Sequence, residues 1–76
     1  MQEPAPSPAT AAYVVNGETV SARAAGLGDL IAELGYTDAN RVATAVNGAF
    51  VPRRERAATR LAPGDRIEIV APRQGG

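Results

Sequence analysis

The sequence predicts an α+β fold, a mixed sheet of four to five strands with one helix packed on one face. Asn16-Gly17 and Asn47-Gly48 each interrupt a run rich in apolar and β-branched residues. Such dipeptides favour two-residue hairpin turns, because both central residues of a type I′ turn need positive φ. A stretch between the two turns instead has apolar residues at helical spacing. At 76 residues, the chain has room for one such domain.

The first half of the chain predicts a hairpin followed by the helix. Residues 13–15 lead into the first Asn-Gly turn and residues 18–22 return from it. An apolar stripe at i, i+3, i+4 and i+7 then marks one face of a helix: Leu27, Leu30, Ile31 and Leu34. The helix should begin at Leu27 or Gly28 and end before Gly35, which suits a C-cap.

The second half predicts a second hairpin and a last strand. Residues 42–46 and 49–51 flank the second Asn-Gly turn, and Pro52 ends the returning strand. Residues 53–60 read as a short irregular or 3₁₀ segment, and a Pro-Gly-Asp turn then feeds a strand over 66–70. The strand–helix–strand crossover should be right-handed, and the last strand should pair in parallel beside the first, in the middle of the sheet. This is the β-grasp layout of ubiquitin-like domains.

Composition divides the chain into three parts. Residues 1–11 are rich in proline and alanine and read as a disordered leader. Residues 12–71 form the predicted β-grasp domain, and residues 72–76 read as a flexible tail ending in Gly75 and Gly76. Glycine lacks a Cβ, so such a tail can enter a narrow cleft that a larger residue would block.

Composition also excludes several classes of function. The chain has no cysteine and no histidine, and its formal net charge is zero. Disulfides, thiolate–zinc sites and Cys/His nucleophiles are therefore excluded, and the charge argues against binding to nucleic acid or to an anionic membrane. With no bilayer-spanning apolar run and no secretory signal, the expected location is cytoplasmic. The scattered carboxylates offer no base–nucleophile pair, so we expect no enzyme.

Several segments resemble one family when taken in order. The matching pieces are Val15-Asn16-Gly17, Leu30-Ile31-Ala32-Glu33-Leu34-Gly35, Val46-Asn47-Gly48, Phe50-Val51-Pro52-Arg53, the run from Leu61 to Val70, and Gly75-Gly76. Together they make the chain similar to the sulfur-carrier proteins of bacterial thiamin biosynthesis, the ThiS family. The resemblance covers almost everything after residue 12.

The resemblance implies that the protein is a cosubstrate without an active site of its own. An E1-like adenylating enzyme would use ATP to activate the Gly76 carboxylate. A sulfur donor, a cysteine desulfurase or similar, would convert the adenylate to a thiocarboxylate. A thiazole synthase would take the sulfur into the thiazole ring. No cofactor would be bound by the chain itself, and the free protein should be a monomer.

The candidate site residues fall into two groups. The resemblance assigns sulfur carriage to the C-terminal pair, Gly76 and Gly75. Partner docking is assigned to residues beside the tail and to outward or basic residues of the domain: Gln74, Arg73, Phe50, Val70, Arg53 and Arg54. Strand alternation turns Phe50 outward if Val51 points inward, although packing at a barrel-like edge would bury it.

The basic cluster allows two interpretations. Arg53, Arg54, Arg56 and Arg60 are interrupted by a single acidic residue, Glu55. They form either a solvated loop or an electrostatic contact for an acidic face of the activating enzyme or the synthase.

Other functions share the fold and the terminal glycines. A carrier for molybdopterin, tRNA thiolation or cysteine synthesis is one alternative, and a ubiquitin-like protein modifier is another. Conjugates to many proteins would indicate the modifier. A single species in which sulfur has replaced oxygen would indicate a carrier.

Overall fold

A computed structural model describes residues 10–36 and 41–71 of the chain. The sheet has five strands: β1 (Ala11–Val15), β2 (Glu18–Ala22), β3 (Ala43–Val46), β4 (Ala49–Val51) and β5 (Arg66–Val70). One α-helix, α1 (Leu27–Glu33), follows β2, and a 3₁₀ helix (Arg53–Ala58) follows β4. Most of the predicted leader and the entire predicted tail lie outside the described residues.

The last strand occupies the centre of the sheet. The strand order is β2-β1-β5-β3-β4. β5 pairs in parallel with β1 and antiparallel with β3, whereas each hairpin pairs antiparallel. This is the predicted ubiquitin-like β-grasp arrangement. β1 begins one residue before the predicted domain boundary, because Ala11 already lies opposite Ala22.

The helix covers one face of the sheet and closes the core. α1 begins at Leu27, as predicted, and buries Leu27, Leu30 and Ile31. These side chains belong to one cluster with inward residues of the central strands, among them Tyr13 and Ile67. Burial of this apolar area is the main stabilising term for so small a domain.

Both hairpin turns have the predicted backbone. Asn16 and Asn47 have φ of 51° and 52°, and the glycines that follow have φ of 86° and 87°. Two successive residues with positive φ are the mark of the type I′ turn.

One member of the basic cluster is buried rather than solvated. The Arg56 side chain is only 6% exposed. Its Nε donates to Thr44 Oγ1 at 3.1 Å, and its Nη2 donates to the Val42 carbonyl oxygen at 2.6 Å. Arg56 therefore ties the 3₁₀ helix to β3 from inside the fold. Neither interpretation of the cluster, as a solvated loop or as a docking contact, applies to this residue.

Asp65 closes the turn that leads into β5. Its carboxylate accepts hydrogen bonds from the Ala62 backbone N–H at 2.8 Å and from Asn47 Nδ2 at 3.1 Å. These bonds favour the charged form, with the backbone bond the larger cause, and they hold the pKa of Asp65 below its ordinary value of 3.8.

A lowered pKa in the folded state makes this contribution depend on pH. The ionised carboxylate stabilises the fold above the ordinary pKa, and the contribution is lost as the pH falls through the lower, folded-state pKa. We expect the free energy of unfolding to fall with acid below about pH 4, and to fall less steeply in Asp65→Asn. Urea denaturation of both proteins at pH 7 and at acidic pH measures this. Equal acid dependence in the two proteins would contradict the assignment.

Candidate functional site

The face of the sheet opposite α1 carries two exposed apolar side chains. Phe50 on β4 is 69% exposed and Val70 on β5 is 60% exposed. Their neighbours in the chain point the other way, since Val51 and Ile69 are buried. The alternation of β-strand side chains thus turns Phe50 and Val70 to the same face. The prediction that Phe50 points outward is confirmed, and the alternative that it packs inside is wrong.

Two alanines of β3 connect these apolar side chains. Ala45 lies opposite Phe50 in the β3–β4 pair, and Ala43 lies opposite Val70 in the β3–β5 pair. Both alanines are on the outward side of β3. The surface between Phe50 and Val70 is therefore apolar and carries only small side chains. We call Phe50, Ala45, Ala43 and Val70 the apolar strip. Exposed apolar surface of this kind on a small domain is typical of a protein interface.

Charged side chains border the apolar strip on β5. Arg66 and Glu68 share the outward side of β5 with Val70, as the alternating burial of that strand shows. A depression of about 510 Å³ lies beside them, and its lining includes Val14, Glu68 and Val70. An apolar centre with charged neighbours suits a surface recognised by a partner protein.

The side chains of the two turn asparagines bind the central strand β5. Asn16 Nδ2 donates to the Ile69 carbonyl oxygen at 3.0 Å, and the Ile69 N–H donates to Asn16 Oδ1 at 2.8 Å. At the other end of β5, the Arg66 N–H donates to Asn47 Oδ1 at 3.0 Å. Sequence reasoning assigned both asparagines to turn formation alone. It missed these contacts because the partners are 53 and 19 residues away in the chain.

The predicted docking arginines do not share the surface of the apolar strip. Arg53 and Arg54 are exposed at the start of the 3₁₀ helix. That helix packs against α1, and its Arg56 reaches the buried Thr44, so it lies on the covered side of the sheet. The structure therefore brings Phe50 and Val70 onto one face and leaves Arg53 and Arg54 apart from them. Arg73, Gln74, Gly75 and Gly76 lie outside the described residues.

Neither a metal cluster nor a membrane span is present in the described part of the chain. Across residues 10–36 and 41–71, no group of three or more acidic, histidine or cysteine side chains is placed to hold a metal ion. Within the same ranges, no helix has the length and apolar character needed to cross a membrane.

Comparison with solved structures shows where this architecture occurs. The chain is similar to the crystal structure of a thiamine biosynthesis protein (ThiS) from Geobacter metallireducens, with a TM-score of 0.72 and 26% identity over 86% of this chain and 99% of that chain. A solution NMR structure of a thiamine biosynthesis protein from the same organism gives a TM-score of 0.71 and 26% identity, covering 86% of this chain and 87% of that one.

Comparison of the sequence itself gives a more extensive match. No curated protein matches the chain at a significant level. The profile of the ThiS family, however, matches residues 8–76, which include the whole described domain and the segment after it up to Gly76. The chain belongs to the ThiS family.

Proposed function

We propose that this protein is a sulfur carrier in thiamin biosynthesis whose Gly76 carboxylate is converted to a thiocarboxylate. The observation that carries the proposal is the family match, which continues beyond the folded domain through the last two glycines. The two similar structures from Geobacter metallireducens, both titled as thiamine biosynthesis proteins, support the same pathway.

The proposed chemistry begins at the C-terminal carboxylate. A carboxylate is a poor electrophile, so the Gly76 oxygen would first attack the α-phosphate of ATP, with pyrophosphate leaving. The terminal sulfur of a donor persulfide, on a cysteine desulfurase or a similar protein, would then attack the acyl carbon, and AMP would leave. A thiol supplied by a partner would cleave the resulting acyl disulfide, forming a disulfide with the donor and freeing the thiocarboxylate. The thiocarboxylate so formed is a soft nucleophile that a thiazole synthase can use without free sulfide being released.

The proposed division of labour is the one that membership of the ThiS family implies. All chemical steps are assigned to partners: an E1-like adenylating enzyme, the sulfur donor and the thiazole synthase. ATP belongs to the activating enzyme, and the carrier binds no cofactor. The absence of cysteine and lysine from the chain suits this role, because a thiol or an amine of the carrier could capture its own activated acyl group. We assign the carrier to the cytoplasm, where ATP for the activation step is available.

The apolar strip is the surface that we assign to the activating enzyme. Phe50 offers the largest exposed apolar area of the described residues, and aromatic side chains of this kind serve as anchors in protein interfaces. β5 carries Val70 in the strip and continues directly toward Arg73, Gln74 and the glycines. An enzyme that holds the strip therefore also holds the strand from which the tail leaves.

Deletion of Gly76 tests the proposed function directly. The intact protein, incubated with ATP, an activating enzyme and a sulfur source, should gain the mass of one oxygen-to-sulfur exchange, as measured by intact-mass spectrometry. The deletion variant should show no exchange, because a carboxylate one residue short does not reach the activated phosphate.

The control for this experiment is the thermal unfolding midpoint. It should be the same for both proteins, since Gly76 lies six residues beyond the last strand residue, Val70. Sulfur exchange in the deletion variant would contradict the proposal. Conjugates to many lysate proteins would instead indicate a modifier.

A further inference from the structure

The end of β5 that leads toward the tail has no strand partner on its β1 side. β1 pairs with β5 at Val14 and Val15, opposite Arg66 and Ile67. The chain then turns away at Asn16, whose backbone N–H makes the last main-chain bond, to the Ile67 carbonyl oxygen at 2.9 Å. Beyond that point the N–H and C=O of Ile69 face a position that β1 has already left. Unpaired main-chain groups of this kind would allow the strand end to open.

The Asn16 side chain fills this position as a peptide group would. Its Oδ1 accepts from the Ile69 N–H and its Nδ2 donates to the Ile69 carbonyl oxygen, at 2.8 and 3.0 Å. A primary amide is the side-chain group that offers a donor and an acceptor in the geometry of a backbone amide. The side-chain amide thus extends the hydrogen bonding between β1 and β5 by one more pair of bonds, although β1 itself has ended. The positive φ of Asn16, 51°, serves the turn at the same time.

We infer that Asn16 is a positioning residue for the carrier reaction, and this inference rests on the proposed function. Its amide holds the β1 side of the strand end from which the tail leaves, whose other side is paired with β3. Gly76 lies seven residues beyond Ile69, a distance of about 25 Å at full extension. With the carrier docked through Phe50 on β4, a fixed point of departure at the end of β5 limits the volume that the Gly76 carboxylate can sample. A loosened strand end lengthens the tether and lowers the fraction of time spent at the reacting phosphate.

Asn47 provides a matched control in the same molecule. It occupies the same place in an identical Asn-Gly turn, and its side chain also makes two hydrogen bonds, with Asp65 Oδ1 and the Arg66 N–H. It holds the beginning of β5, however, and not the end that leads to the tail. Asn16→Gly and Asn47→Gly each leave a Gly-Gly dipeptide that the turn accepts. Each also removes the side-chain hydrogen bonds that hold one end of β5.

Steady-state adenylation of the full chain tests the inference. For Asn16→Gly we expect kcat of the activating enzyme to fall about fivefold or more, with KM for the carrier within about twofold of the unsubstituted protein, because Phe50, the main anchor of the apolar strip, lies on β4 and still docks. Asn47→Gly should leave both parameters within about twofold. Hydrogen exchange of the Ile69 amide should accelerate in Asn16→Gly and not in Asn47→Gly.

Several results would overturn the inference. Equal losses of kcat in both glycine variants would reduce Asn16 to a general stabilising role. Faster hydrogen exchange of the Ile69 amide with an unchanged kcat would show that the Asn16 side chain protects Ile69 but does not position the tail. If the unsubstituted protein itself is not adenylated, the proposed function fails and this role fails with it.

A second variant covers the case in which Asn16→Gly does not fold. Asn16→Asp keeps the size of the side chain and the acceptor for the Ile69 N–H. It replaces the amide donor by a carboxylate oxygen facing the Ile69 carbonyl oxygen, so kcat should again fall while KM is retained. An Asn16→Asp protein with an unchanged kcat would contradict the inference.

Discussion

Phe50→Ser is expected to raise the KM of the activating enzyme for this carrier by about tenfold or more. The side chain is 69% exposed at the end of the apolar strip, so it contributes little to the core and is free to enter a pocket of the partner. Serine removes nearly all of that apolar area. The free energy of unfolding should change by no more than about 0.5 kcal/mol. ATP–pyrophosphate exchange at varied carrier concentration measures KM, and urea denaturation measures stability.

Two further variants define the surface around Phe50. Val70→Ser lies in the same strip and should raise KM in the same direction by a smaller factor, since valine offers less area. Thr19→Ala changes an exposed residue of β2, at the opposite edge of the sheet, and should leave KM unchanged. The assignment of the strip to the activating enzyme would be wrong if Phe50→Ser adenylated at the unsubstituted rate, or if Thr19→Ala raised KM as much.

The elements of this fold could be predicted because their signals are local. An Asn-Gly dipeptide specifies its turn with two residues, and the stripe from Leu27 to Leu34 specifies a helix within eight residues. Strand alternation favoured an outward Phe50 if Val51 pointed inward, but packing at a barrel-like edge stayed open until the structure showed Phe50 exposed and Val51 buried. The central place of β5 was predicted from the order of the elements, with one helix covering one face of one sheet, together with the rule for the handedness of crossovers.

The interactions that sequence reasoning missed are those made between distant segments. Arg56 stands among three other arginines in the sequence, and nothing near it marks it as buried. Its partners are Thr44 on β3 and Val42 just before that strand, and only the folded sheet brings them within reach. The hydrogen bonds between the Asn16 side chain and Ile69 could not be predicted for the same reason. The Asn-Gly turn alone is a sufficient reason for an asparagine at position 16, so the sequence gives no sign that its side chain also bonds to β5.

Arg56→Ala is expected to lower the free energy of unfolding by about 2–4 kcal/mol. The guanidinium donates to Thr44 Oγ1, which in turn donates to the Val51 carbonyl oxygen at 2.9 Å. Truncation would break this connected network and leave the Val42 carbonyl oxygen buried without the Arg56 donor. Loss of a satisfied buried polar network is among the most costly substitutions in a small domain. Urea denaturation at neutral pH measures the loss.

Arg54→Ala is the matched control, and it separates a structural arginine from a docking arginine. Arg54 is exposed in the same 3₁₀ helix, so its truncation should change the free energy of unfolding by no more than about 0.5 kcal/mol. Arg56→Lys should lower the free energy of unfolding by most of the amount expected for Arg56→Ala, because one ammonium group cannot reproduce the planar guanidinium fork. At a temperature where every variant is folded, Arg56→Ala should still be adenylated with an unchanged KM, since its side chain is turned away from any partner. Equal stability of the Arg54 and Arg56 variants, or a raised KM for folded Arg56→Ala, would contradict the structural role of Arg56. It would then count as a surface residue of the basic cluster.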